Sequence, residues 1–167
     1  MIKHSLKDQL ILHEGLRLRV YTCTANKKTI GVGRNLEDVG LYPEEQDHIL
    51  GRKILNKDQV IYILEERGIT KDEALYMLDN DIVRYTKDVE QFPWFESLNP
   101  VRQKVIIDMR LNLGFAGLKD FKRMILALEG GDYDKAGDEM KDSKWYYQVG
   151  IRGRRLVKMM KTGIDYQ

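Results

Sequence analysis

Apolar positions near the N-terminus recur at helical spacing and then change period. Leu6 and Leu10 stand four apart with Ile11 beside them, which predicts a helix over residues 4–14. Ser5 is placed to cap that helix, Asp8 falls in its first turn, and Gly15 suits the left-handed residue that follows a helix end. From Leu16 the period becomes two. Leu16, Leu18 and Val20 alternate with Arg17, Arg19 and Tyr21, the pattern of a half-buried strand. Ala25-Asn26-Lys27-Lys28 is polar enough to turn the chain, and Thr29-Ile30-Gly31-Val32-Gly33 reads as the returning strand. Gly31 and Gly33 leave one face bare, so a ligand or another stretch of chain can approach closely. Residues 35–40 read as a loop or a third short strand.

The remainder reads as helix. Pro43 can open a short helix through Gln46, and Lys57 to Arg67 carries Val60, Ile61, Ile63 and Leu64 before stopping at Gly68. Thr70 and Glu73 form a capping box, which opens a long helix through Leu75, Leu78, Ile82 and Val89 that ends before Pro93. Asn99-Pro100 starts a helix that is apolar nearly all round, from Val101 to Leu113, and therefore central; Gly114 is expected to end it. Shorter helices are expected over residues 119–129, 133–141 and 150–161. No internal repeat or low-complexity segment interrupts this order. The fold class is α+β: an N-terminal helix over residues 1–14, a β-containing part over about 15–68, a connecting helix over about 70–91, and a helical part over about 93–167.

With 167 residues, 43% of them hydrophobic, the chain can bury a proper core. A net charge of +2 is compatible with an anionic partner without demanding one. The basic residues crowd toward the C-terminus, where Lys141, Lys144, Arg152, Arg154, Arg155, Lys158 and Lys161 face only Asp142 and Asp165. That is either a solvated helix face or a positive wall beside an acidic substrate. The single cysteine, Cys23, excludes an internal disulfide and leaves a core filler, a metal ligand or a reactive group. His4, His13 and His48 show no spacing with it that suggests zinc, so no metal and no cofactor is expected. The N-terminus has no apolar stretch long enough for a signal peptide or anchor, so the expected location is a cytoplasm.

Candidate chemistry gathers at the first helix end and the hairpin. Unpaired carbonyls at a helix C-terminus disfavour charge on Glu14, which suits a proton donor for glycoside hydrolysis. Taken singly, Glu14 also reads as solvated surface and Thr29 as an ordinary strand residue. The spacing as a whole is more specific: Glu14, eight residues, Cys23, five residues, Thr29. Together with Glu14-Gly15-Leu16-Arg17-Leu18, Tyr21 and Thr29-Ile30-Gly31-Val32-Gly33 it resembles the active-site stretch of phage-type lysozymes, glycoside hydrolase family 24 of the T-even class. Further landmarks follow in order: Ile69 to Ala74, Asn80-Asp81, Ser97-Leu98, Val101-Arg102, Gly114, Gly117 with Phe121, Ser143 to Tyr146, Gln148 and Arg152. Residues 35–55 are the stretch the resemblance covers least.

The resemblance implies a lysozyme-like fold, with a small sheet lobe and a larger helical lobe joined by the long helix and an active-site cleft between them. It implies an N-acetylmuramidase that hydrolyses β-1,4 bonds between N-acetylmuramic acid and N-acetylglucosamine. Glu14 would be the general acid and Thr29 would help place the attacking water. Arg152 falls where the family pairs an arginine with the catalytic glutamate, and Asn112 on a cleft position where the T-even enzyme has glutamine, so a polar substrate contact is expected there. Two positions depart from the T-even pattern. Cys23 replaces an aspartate; it could act as base, water-positioner or nucleophile, and the inverting course of the T-even class favours the first two. Lys27, Lys28 or Arg19, if close, would lower its pKa. Arg34 replaces a histidine paired with an aspartate that Asp81 matches, so an Arg34–Asp81 pair is expected to join the hairpin to the long helix. Trp145, Tyr146, Trp94 and Phe95 are expected in the core rather than on sugar. The implied protein is a monomeric endolysin acting on bacterial peptidoglycan, with no nucleic-acid partner and no stable membrane association, and it would need a separate holin to reach the wall. A non-catalytic wall-binding module on the same fold is the alternative, and a DNA-binding helical protein a distant third.

Overall fold

In the computed structural model, which describes residues 1–52 and 55–167, helix α1 (Leu6–Glu14) starts where the Ser5 hydroxyl accepts the Asp8 amide at 3.0 Å. A three-stranded antiparallel sheet follows in the order β1 (Arg17–Thr22), β2 (Lys28–Gly31), β3 (Arg34–Asn35). Then come α2 (Pro43–Glu45), a π-helical turn (Gln46–Leu50), α3 (Lys57–Arg67) and α4 (Lys71–Val89). After a 3-10 turn (Phe95–Ser97) the chain continues as α5 (Pro100–Lys119), α6 (Lys122–Glu129), α7 (Tyr133–Lys141), α8 (Lys144–Val149) and α9 (Ile151–Thr162). The fold is thus α+β and lysozyme-like in its elements, helices with one small sheet. By contacts it falls into two compact units, residues 10–81 and residues 1–9 with 82–167. Lys53 and Ile54, within the stretch least covered by the resemblance, lie outside the described residues.

In the unit of residues 10–81, β1 is an edge strand with β2 as its partner. Its register slips between Arg17 and Tyr21, so the strict alternation read from the sequence does not hold. Leu18 is 41% exposed, and only Leu16 and Val20 pack, partly buried, on the core. The outer edge is tied down instead: the Ile69 amide donates to the Leu18 carbonyl at 2.9 Å and the Arg19 guanidinium to the Glu66 carbonyl at 3.1 Å. The core beneath gathers Ile30, Leu36, Leu41, Val60, Leu64 and Met77, each such side chain stabilising by roughly 1.5–3 kcal/mol relative to exposure. Helix α4 opens with the expected box, the Thr70 hydroxyl accepting the Glu73 amide at 3.1 Å and the Glu73 carboxylate accepting the Thr70 amide at 2.8 Å.

A charged group sits inside this core. Arg34 is 1% exposed, Glu45 0% and Asp81 1%. The guanidinium forks onto Asp81 at 3.1 and 2.7 Å and onto Glu45 at 2.6 and 3.0 Å, and also donates to the carbonyls of Gly40 and Met77. The carboxylate of Glu45 accepts the Tyr42 amide and the Asn80 side chain as well. Every donor of the arginine is thereby used, which is the condition under which burying it is tolerable.

In the other unit, α5 begins at an Asn99 cap that accepts the Arg102 amide at 2.9 Å, with Pro100 in the first turn. The expected stop at Gly114 is a break rather than an end: φ is 76° and ψ 164° there, and helix resumes to Lys119, an extra turn held by the fully buried Leu118. Around α5 pack Met124, Leu128, Met140, Trp145, Leu156 and Met160. Trp94, Phe95 and Trp145 are 5%, 3% and 4% exposed, so all three are core residues. Helix α8 was not expected from the sequence because it spans fewer than two turns; the Ser143 hydroxyl caps it. The two chain ends meet here. The Asp165 carboxylate accepts the Lys3 and His4 amides and the Lys104 ammonium, and His4 stacks on Tyr166 at 4.1 Å. Of the C-terminal cations, Arg152 is buried, Lys161 pairs with Asp138, and Arg154 and Lys158 are exposed.

Replacing Arg34 by Met should leave two buried carboxylates uncompensated and lower the unfolding free energy by about 3–5 kcal/mol, read as a lower urea midpoint. Arg34→Lys should recover only part of the loss, because one ammonium cannot form two forks. An Arg34→Met protein as stable as wild type would contradict this account.

Candidate active site

Glu14 ends α1: the next amide, of Gly15, donates back to the Ile11 carbonyl at 2.8 Å, and Gly15 leaves the helix at φ +76°. The returning strand read through Gly33 ends at Gly31, so the Glu14 side chain lies against the β2–β3 turn. A Cβ built on Gly33 would stand 2.9 Å from Glu14 Oε2 and 3.0 Å from its Cδ, on a backbone with φ +70°. Any other residue at 33 would be strained and would displace the carboxylate. The bare glycine face expected from the sequence is therefore filled at Gly33 by Glu14, while Gly31 faces Ile69, Ala74 and Met77. Arg34, the next residue, is the one locked between Glu45 and Asp81, so the turn that meets Glu14 is anchored one peptide away.

Cys23 follows β1 at the hairpin turn. Its amide donates to the Lys27 carbonyl at 2.9 Å, the Asn26 amide donates to the Cys23 carbonyl at 2.9 Å, and Asn26 takes a left-handed φ of 60°, which asparagine tolerates better than most residues. Tyr21 pairs with Thr29 across the hairpin. Side chains two apart on a strand share a face, so Cys23 projects to the same side as Tyr21 and Thr29. Thr29 is 3% exposed, its hydroxyl donates to the Lys27 carbonyl at 3.0 Å, and the side chain lies near enough to the Cys23 thiol to favour its charged form. A partly exposed thiol thus rests on a buried hydroxyl.

Burial acts most strongly on the Cys23 thiol and pushes its pKa up. Hydrogen bonds with the Thr29 side chain and with the backbone of Lys27, Ala25 and Cys23 itself outweigh it, and the thiol ends below its ordinary value. The cations expected to do this are engaged elsewhere. Lys27 pairs with Asp38, Lys28 with Glu65, and Arg19 donates to the Glu66 carbonyl. The thiolate is favoured here by hydrogen bonding, not by a neighbouring positive charge.

Arg152 and Asn112 belong to the other unit. Arg152 donates through Nε to Asp108 Oδ1 at 2.9 Å, and the Gln9 side chain donates to Asp108 Oδ2 at 2.8 Å; Gln9 and Asp108 are both 0% exposed. Asn112 accepts the Trp145 indole N–H at 2.7 Å, so it orients a core tryptophan as well as presenting an exposed amide. The pairing expected between Glu14 and Arg152 joins residues of different units and stays an expectation of the resemblance. Sequence reading missed Glu45, Asp108 and Gln9. The available signal for Asp108 was a lone carboxylate inside a helix that is otherwise apolar on that face. Among the described residues no group of three or more His, Cys, Asp or Glu side chains is placed to hold a metal.

A family model described as Phage lysozyme matches residues 12–161. The chain is 30% identical over 164 residues to the pre-baseplate central spike protein Gp5 of Enterobacteria phage T4, an alignment that covers 95% of this chain but only 28% of that protein. It is 27% identical over 176 residues to the probable T4-type lysozyme 1 of Dictyostelium discoideum, with 95% of each chain covered. The probable T4-type lysozyme 2 of the same organism is 24% identical with the same coverage.

The hydrogen-bonded thiol has a direct test. Alkylation of Cys23 by iodoacetamide, followed against pH, should show a midpoint below that of a free cysteine, which is about 8.5. Thr29→Val removes a hydrogen bond that favours the thiolate and should move the midpoint upward. Superimposable profiles would show that Thr29 does not act on the thiol.

Proposed function

Because the chain belongs to the phage lysozyme family, we propose that it is an N-acetylmuramidase, hydrolysing the β-1,4 bond between N-acetylmuramic acid and N-acetylglucosamine in bacterial peptidoglycan. What supports this most is the hairpin itself: a helix-end carboxylate lodged against Gly33 and a thiol beside a buried threonine with its pKa lowered, in one unit of the chain. Protonated Glu14 gives its proton to the leaving glycosidic oxygen as the bond to the muramic C1 breaks. Water attacks C1 from the opposite face and gives a proton to the Cys23 thiolate, with Thr29 fixing the orientation of the sulfur. One turnover leaves Glu14 ionised and Cys23 protonated, and exchange with solvent resets both. Direct attack by sulfur would give a thioglycosyl intermediate instead; water is the nucleophile in the reading preferred here.

Arg34 and Asp81 support the site by fixing the turn beside Glu14, and Arg152 and Asn112 are assigned to substrate contact or support by the family resemblance. The biological setting proposed is that of an endolysin: a monomer held in the host cytoplasm, released to the wall by a separate holin, needing no cofactor. The chain as a whole is read as one lysozyme-like domain built from both units.

Glu14→Gln should lower the release of reducing ends from purified murein by about 10²–10⁴-fold. Cys23→Asp should retain activity and Cys23→Ala should lose about 10²-fold or more, the loss expected of a missing base. A Cys23→Ala enzyme at the wild-type rate would remove the thiol from the mechanism. Binding to sacculi with no reducing ends released by the wild type would make the protein a wall-binding module.

A further inference from the structure

Tyr21 is half-buried in β1 and takes no part in the chemistry above. Its ring is covered on one side. The Arg17 guanidinium lies over it at 4.5 Å, and Thr29 faces it across the hairpin. The register that pairs Tyr21 with Thr29 also puts Cys23, two residues on, on the same face. Glu14 and Cys23 both act on the phenol electrostatically, so it lies within the field of each proposed reacting group. Among the described residues its hydroxyl has no hydrogen-bond partner, although Thr29 beside it and Glu14 near it are both engaged.

We propose that Tyr21 is a substrate-contacting residue of the same site, its hydroxyl donating a hydrogen bond to an oxygen of the saccharide bound at Glu14 and Cys23. This rests on the proposed function, to which it adds a binding contact.

A structural tyrosine at an edge strand would satisfy its hydroxyl on the protein or turn it fully to solvent. Here the half-buried ring already lies under the Arg17 guanidinium, which reduces the side-chain freedom lost when a ligand arrives. Burial first, then the charges of Glu14 and Cys23, push the phenol's ionisation upward against the lowering effect of Arg17. The hydroxyl therefore stays a neutral donor while its neighbours change charge. Sugar hydroxyl and acetamido oxygens are acceptors of the kind such a donor serves. The groups on Tyr21 are Glu14 from α1, Arg17 and Cys23 from β1 and its turn, and Thr29 from β2.

Tyr21→Phe deletes the hydroxyl and keeps the ring and the Arg17 stack. Binding of a murein tetrasaccharide, measured by titration, should weaken by about 3–10-fold, the range of one neutral hydrogen bond. The thermal midpoint should not move, and the loss should appear in KM rather than kcat. The ratio of wild type to variant should stay constant from about pH 5 to about pH 8, since the phenol does not titrate there. Equal affinity and equal turnover would overturn the proposal. So would equal affinity with displaced pH limbs, which would mean that the hydroxyl acts only through Glu14 or Cys23. If the affinity difference appears while neither protein releases reducing ends, the contact stands and the hydrolase reading fails.

Discussion

Arg34 is a positive charge placed where water cannot reach it, and the unit of residues 10–81 is built to make that tolerable. Glu45 and Asp81 approach it as two forks, and the Gly40 and Met77 carbonyls take the remaining donors. A buried ion pair of this kind adds little net stability over a well-packed apolar group, but it admits one arrangement and penalises every other. It joins β3, the segment at Glu45 and α4 at a single point. The β2–β3 turn is thereby held, and Gly33, the residue before the arginine, is held with it. Glu14 rests against that glycine at a distance that no Cβ would permit. Because arginine stays charged throughout the physiological range, this anchor does not loosen with pH as a histidine pair would.

The same economy governs the thiol. Cysteine at position 23 is a weak acid by itself, and no lysine or arginine on the hairpin is spent on activating it. The hairpin turn supplies backbone hydrogen bonds instead, and the buried Thr29 hydroxyl supplies another. Thr29 has a single proton, which goes either to the Lys27 carbonyl or to the sulfur. Its position is set by β-register, since it faces Tyr21 directly. Sequence spacing between Cys23 and Thr29 thus acquires a physical meaning: five residues make the tight turn that brings the two side chains to one face.

What could be read beforehand followed from local periodicity. The first helix, the hairpin, the box at Thr70 and the Asn99-Pro100 start depend on neighbours within a few residues, and all were legible. The long central helix was legible to Gly114; that it resumes depends on burying Leu118 against other helices, which no local pattern records. The alternating burial expected of β1 failed because a register slip cannot be seen in the alternation of side chains. Within the site, Glu14, Cys23 and Thr29 stood out through spacing shared with a family. Their supports did not. Glu45 reaches Arg34 from a segment with no strong pattern, and Gln9 meets Asp108 from the far end of the sequence. Long-range polar contacts have no period, and only the oddity of a carboxylate in an apolar helix hinted at one of them. Lys27, Lys28 and Arg19 were plausible neighbours of the thiol by position, yet their long side chains reach Asp38, Glu65 and the Glu66 carbonyl instead.

The central claim is that water, directed by Cys23 and Thr29, opens a glycosidic bond protonated by Glu14. Digestion of murein in heavy-oxygen water, with the product anomer followed by NMR from the earliest times, tests it most directly. The account predicts heavy oxygen on C1 of N-acetylmuramic acid and the α-anomer as first product, since water enters opposite the departing β-bond. Initial appearance of the β-anomer would contradict it, because that requires two displacements through a covalent intermediate.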